Sequence, residues 1–222
     1  NLTRPSSTRV ASITHSKYIS QTQKYIFDDK LPYWIIYRDE QFDSVCKKLD
    51  FNVFKVFRDR QITNRLLSSS GEIRVLKSRN ISDDGEQIIN IDGYDSYISQ
   101  NDASNLSVYS YLNRDDVYLT PNMTYKPRVI QKPKGCLVNG SLAVLIPKKN
   151  IVLTKEQMAF FSTPEYRDFY QVARNYQTRS LNVDACSVFF YGLLRDKPKK
   201  TPITEKLDEE DNIQMKISDY IK

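Results

Sequence analysis

Apolar positions recur at helical spacing in two parts of the chain. From Thr163, a capping Thr is followed by Pro164 at the first helical position, where its missing N–H removes no bond. Tyr166, Phe169, Tyr170 and Ala173 then fall at i, i+3, i+4 and i+7, which predicts a helix docking one aromatic face. Residues 39–49 repeat the pattern with Phe42, Val45, Cys46 and Leu49. Thr154, with Gln157 three positions on, has capping-box spacing and predicts a further helix start. Elsewhere the period is two. Residues 51–58 predict a strand with Val53, Lys55 and Phe57 on one face and Phe54, Val56 and Arg58 on the other. Strands are also expected at 32–37 (aromatic and β-branched), 72–77, 88–91, 108–111, 117–119, 135–138 and 142–147. Asn139-Gly140 between the last two is a hairpin signal, and Asp83-Asp84-Gly85 marks a tight turn. Residues 17–27 suit a short helix and a strand equally. The expected class is α+β, a strand-rich middle flanked by helices. Its divisions are an N-terminal arm or linker (1–32), one folded domain (33–194) and a polar tail (195–222), in which Ile213, Ile217 and Ile221 form a weak amphipathic stripe.

The polar interruptions carry the candidate chemistry. Residues 174–180 have no aliphatic side chain and lie between two apolar runs, so Asn175, Gln177, Thr178 and Arg179 form a mounted set of hydrogen-bond donors. Three more such sets follow predicted strands: Arg58, Arg60, Gln61, Asn64 and Arg65; Lys77, Ser78 and Arg79; and Asn122, Tyr125, Lys126 and Arg128. Arg matches guanine edges, Asn and Gln match adenine, and Lys meets phosphates. The competing reading of each set is a solvated loop, with Asp59 pairing Arg58 or Arg60.

Charge sharpens this picture. The net charge is only +6, yet its signs are segregated. Residues 82–116 hold Asp83, Asp84, Glu86, Asp92, Asp95, Asp102, Asp115 and Asp116 against Arg114 alone. Residues 117–155 have no acid and contain Lys126, Arg128, Lys132, Lys134, Lys148, Lys149 and Lys155. Residues 51–79 are also basic. If the basic segments share a face, it would attract a polyanion. Cys46, Cys136 and Cys186 have neither metal nor disulfide spacing and are expected as reduced core thiols of a cytoplasmic protein. His15 has no companion ligand. No apolar run is long enough to span a membrane. The chain opens on Asn1 rather than Met and is expected to be a piece of a longer protein.

The order of these motifs resembles a known family. Lys77-Ser78-Arg79-Asn80-Ile81, then Asp83-Asp84-Gly85, Val138-Asn139-Gly140-Ser141-Leu142, Asn175-Tyr176-Gln177-Thr178-Arg179-Ser180-Leu181-Asn182 and Gly192-Leu193-Leu194 resemble the target recognition domain of adenine-specific DNA methyltransferases in restriction-modification systems. They are also similar to half of a type I restriction specificity subunit. Phe57-Arg58-Asp59-Arg60-Gln61-Ile62-Thr63 looks like the lead-in to that domain in fused enzymes. The resemblance covers about residues 33–194. It implies sequence-specific binding of double-stranded DNA, positioning a methyltransferase catalytic domain in cis or in trans over a flipped adenine. S-adenosylmethionine would then be the cofactor of the parent protein, and no cofactor or metal is expected in this chain. The sequence departs from the specificity subunits where they continue into a long helix, since here a Lys/Pro and acidic tail follows. It contains neither a Gly-rich cofactor loop nor a Pro-Pro-aromatic motif, so methyl transfer is not expected of this chain alone.

Two alternatives stand beside it. A Mg²⁺-dependent restriction endonuclease domain would need carboxylates with a nearby Lys. Glu72-Ile73-Arg74 and Glu165-Tyr166-Arg167 have the spacing but place Arg where Lys belongs. A protein-interaction domain of a restriction-modification complex would use the Ile213, Ile217 and Ile221 stripe.

Overall fold

Leu142, Ala143, Val144 and Leu145 are all completely buried, because both faces of the strand they form are covered. That strand, β10 (Leu142–Pro147), pairs with β4 (Phe54–Phe57) and β7 (Tyr118–Pro121), and β7 pairs with β8 (Ile130–Gln131), all antiparallel. In the computed structural model, which describes residues 7–12, 17–124, 126–177 and 182–195, this four-stranded sheet is the middle layer. Successive side chains of β10 enter opposite cores, as the strand period requires. Ala143 and Leu145 join a cluster with Phe42, Phe169, Tyr170 and Tyr191, whereas Leu142 and Val144 join Val75, Leu76, Ile98 and Leu137.

The first core is closed by α2 (Glu40–Lys48) and α5 (Pro164–Ala173). The predicted Thr163 cap accepts from the Tyr166 N–H at 3.1 Å, and Asp39 caps α2 by accepting from the Phe42 N–H at 2.8 Å. A cap is worth about 1 kcal/mol. Burial of Tyr166, Phe169, Tyr170 and Val172 is worth about 1.5–3 kcal/mol for each large side chain. The cap therefore sets where α5 begins, and packing holds it there. The second core is closed by a sheet of β5 (Ile73–Leu76), β6 (Ser96–Ile98) and β9 (Cys136–Val138), with α3 (Gln100–Ser104) beside it. The chain is α+β.

Several expected strands take other forms. Residues 32–37 are irregular: Pro32 offers no donor, and the Asn175 side chain occupies the neighbouring groups. Its Oδ1 accepts from the Ile36 N–H at 2.7 Å, and its Nδ2 donates to the Trp34 carbonyl at 2.9 Å. Ile88 makes only a single bridge, to Ile81, before the chain turns at Ile91. Ser107–Tyr111 is a 3-10 helix, which buries Val108 and stacks Tyr111 on Phe57 at 4.7 Å between centroids. A short apolar run fits either form, and packing decided. Asn139-Gly140 is not a hairpin. β9 pairs in parallel with β5, while β10 lies in the other sheet, so the dipeptide crosses between layers.

At α4 (Lys155–Phe160), Thr154 accepts from the Gln157 N–H at 3.2 Å, but the Gln157 side chain leaves the capping box. It pairs with both backbone groups of Leu194, at 3.0 and 3.2 Å, and holds β11 (Leu193–Leu194) beside β3 (Leu49–Asp50). Residues 17–27 resolve into β2 (Lys17–Thr22), paired with β1 (Ser7–Ser12), followed by α1 (Gln23–Ile26). Cys46 and Cys136 are half-buried, and Cys186 is exposed rather than in the core. Burial pushes the Cys46 thiol up to about 12. Among the described residues no helix is long and apolar enough to cross a membrane. His15 and the Ile213, Ile217 and Ile221 stripe lie outside the described residues.

Candidate nucleic-acid interface

The C-terminal ends of β4, β5, β7 and β9 and the start of β10 lie at one end of the layers. This follows from register: Phe57 faces Val144, Pro121 faces Leu142, and Leu76 runs beside Val138. The loops leaving these ends meet on the crossover at residues 139–141. A Cβ on Gly140 would come within 2.7 Å of the Asp59 carbonyl oxygen, so the first polar loop lies directly against it. The Ser78 N–H donates to Ser141 Oγ at 3.0 Å, which brings in the second. Asn122 brings in the third, donating from Nδ2 to the Gly140 carbonyl at 3.1 Å and from its N–H to the Ser141 carbonyl at 2.9 Å. Asn122 Oδ1 also accepts from the Val183 N–H at 3.2 Å, tying in the chain after the fourth loop.

The structure divides the sequence-selected residues into two sets. Asn122, 2% exposed, and Arg128, 7% exposed, are internal. Arg128 donates to the carbonyls of Lys126 (3.2 Å), Ser78 (3.3 Å) and Ile81 (3.3 Å), and its burial lowers its pKa. Asn175 is occupied by residues 34–36 in a left-handed backbone conformation, φ 51°. Lys77 Nζ donates to the Tyr94 carbonyl and to Ser96 Oγ at 2.8 Å, 3.8 Å from the Tyr94 ring centroid. Burial holds its ammonium below the usual lysine value, with the Asp95 carboxylate opposing and Arg79 adding to the effect. Gln61 and Gln177 are exposed but engaged: Gln61 Oε1 accepts from Ser107, and Gln177 Oε1 accepts from Arg174 at 3.0 Å. These side chains assemble the loops.

The other set is open to solvent. Arg60, Asn64, Arg65, Arg79 and Lys126 are exposed, and Arg58 is half-buried. Asp59 pairs with neither neighbouring arginine: it is buried and accepts from the N–H groups of Gln61 (3.3 Å) and Ile62 (2.9 Å). Arg58, Arg60 and Arg79 therefore stand at this end with no ion-pair partner among the described residues, and Arg58 Nε is buried without a hydrogen bond. Asn64 and Arg65 lie on the return path to β5. Tyr125, Thr178 and Arg179 lie outside the described residues.

Part of the acidic segment folds onto basic partners, with Asp83 3.5 Å from Lys126, Asp95 2.9 Å from Arg74 and Asp115 3.1 Å from Lys134, while Asp84, Glu86, Asp92 and Asp102 are exposed. Lys132 is fully buried on the carbonyls of Leu112 (3.1 Å), Arg114 (3.4 Å) and Pro133 (2.8 Å), and burial lowers it to about 8. Lys148 and Lys149 follow the far end of β10. Among the described residues, the cations left at the loop end are Arg58, Arg60, Arg79 and Lys126, with Asp83 3.5 Å from the latter.

The carboxylates considered for metal chemistry are engaged elsewhere. Glu72 accepts from the Gln100 N–H at 2.7 Å, and Glu165 pairs with Lys48 at 2.5 Å. Tyr94, absent from the sequence selection, joins the site through its ring; an aromatic two residues after Asp92 carries no local signal for that role. Compared with known proteins, the chain matches no family model, and no curated protein is similar to it.

Proposed function

We propose that this chain is a target recognition module of an adenine-specific DNA methyltransferase from a restriction-modification system. It binds double-stranded DNA with the loop end built around residues 139–141 and positions a catalytic domain, in cis or in trans, that carries S-adenosylmethionine. One observation carries the reading. Three polar loops from separate strands are hydrogen-bonded or packed onto one connector, where Arg58, Arg60 and Arg79 have no ion-pair partner among the described residues. Internal residues fix the backbone of the loops, so little backbone freedom is lost when their arginines bind. Free guanidinium groups at one end suit phosphates and guanine edges.

The test is a titration of fluorescent duplex DNA at several salt concentrations. Affinity should fall linearly on a log–log plot as counterions are displaced. Arg60→Ala should weaken binding, whereas Lys149→Ala, at the opposite end, should change it by less than twofold. Equal effects of the two substitutions, or no duplex binding at low salt, would remove the proposal.

A further inference from the structure

Resting on the duplex-DNA reading, we infer that Arg79 reads a guanine edge and that Tyr94 is the positioning residue holding its guanidinium for that contact. Arg79 Cζ lies 4.8 Å from the centroid of the Tyr94 ring, and the side chain is exposed with no ion pair among the described residues. Arg58 and Arg60 have no comparable aromatic support among the described residues.

The surroundings keep this arrangement rigid. Arg79 sits in the 3-10 turn Ser78–Asn80, whose last residue is completely buried. Asn80 Oδ1 accepts from the Lys77 N–H at 2.9 Å, and its Nδ2 donates to the Ile89 carbonyl at 3.1 Å and to Asp95 Oδ1 at 2.6 Å. The other Asp95 oxygen accepts from Arg74 at 2.9 Å, so both oxygens of that carboxylate are engaged by groups other than Arg79. Tyr94 is fixed in turn, since Lys77 Nζ is bonded to its carbonyl and to Ser96 Oγ. The Ser78 N–H bond to Ser141 places the turn at the common loop end.

A guanidinium resting on a ring has its edge donors available as a pair, which matches the O6 and N7 acceptors of guanine in the major groove. The same fork fits a phosphate, so discrimination between bases, not affinity, distinguishes the two contacts.

The experiment is selection from a pool of random duplexes with the full chain, followed by titration of the enriched duplex and of single-base variants. Wild type should enrich a motif containing a guanine at which Arg79→Lys loses roughly tenfold discrimination, while affinity for unrelated duplex changes less than threefold. Tyr94→Leu should lose the same discrimination, and Tyr94→Phe, which keeps the ring, should retain it. If Arg79→Lys preserves the motif, or if it weakens every duplex equally and lowers the salt slope, Arg79 is a phosphate contact and the inference falls while DNA binding stands. If wild type enriches nothing and binds no duplex, both readings fall. Arg79 is exposed, so its variant decides the matter even if Tyr94→Leu melts early.

Discussion

Gly140 and Asp59 lie 81 positions apart, yet a single carbon added to the glycine would sit 2.7 Å from the Asp59 carbonyl oxygen. This is backbone against backbone, so no side chain can rotate away. Gly140→Ala should destabilise the fold by about 1–3 kcal/mol, as overpacking does. Denaturant unfolding measures it, and a midpoint equal to that of wild type would show that the two loops separate freely.

Asn122 behaves as a structural residue although its sequence context reads as a binding loop. Asn122→Ala removes a donor to Gly140 and an acceptor for Val183 in a buried setting, and should cost roughly 2 kcal/mol. DNA affinity, measured where both proteins remain folded, should change far less than in Arg60→Ala. Loss of affinity without loss of stability would make Asn122 a DNA contact after all.

Arg58 should show the opposite pattern. Its Nε is buried without a partner, an arrangement that costs stability. Arg58→Met keeps the stem and removes the orphaned group, so the melting temperature should hold or rise while duplex affinity falls several-fold. A variant that melts early would mean that the guanidinium supports the native loop.

Lys132 makes stability depend on pH. Its ammonium titrates near 8 in the folded protein, against an ordinary lysine value of 10.5 in the unfolded chain. Between those values the unfolded state binds more protons, so stability rises with pH through this window. Below 8 both states are charged and the burial penalty is fully present. The gain should be on the order of 1 kcal/mol, a fraction of the full shift because relaxation of the surroundings softens the cost of a buried charge. It is read as the difference in pH dependence between wild type and Lys132→Met. Identical slopes from pH 8 to 10.5 would show that Lys132 titrates normally.

What the sequence alone determined were features whose causes lie within about four residues. The caps at Thr154 and Thr163, the aromatic face of α5 and the Asp83-Asp84-Gly85 turn are all local, and all are present. The alternation in β10 was visible only as an apolar run, since both faces of that strand are buried. Tertiary structure decided which polar side chains assemble the loops and which face solvent. Asn122 finds Val183 61 positions away, Arg128 finds Ser78 50 away, and Asn175 finds Ile36 139 away. An Asn bonded to distant backbone and an Asn facing solvent are the same letter in a polar loop. The choice between hairpin and crossover at residues 139–140 was equally non-local, because β5 offered β9 a partner that no neighbouring residue encodes. Local chemistry specifies donors and acceptors, and only the folded chain determines how many of them it has already satisfied.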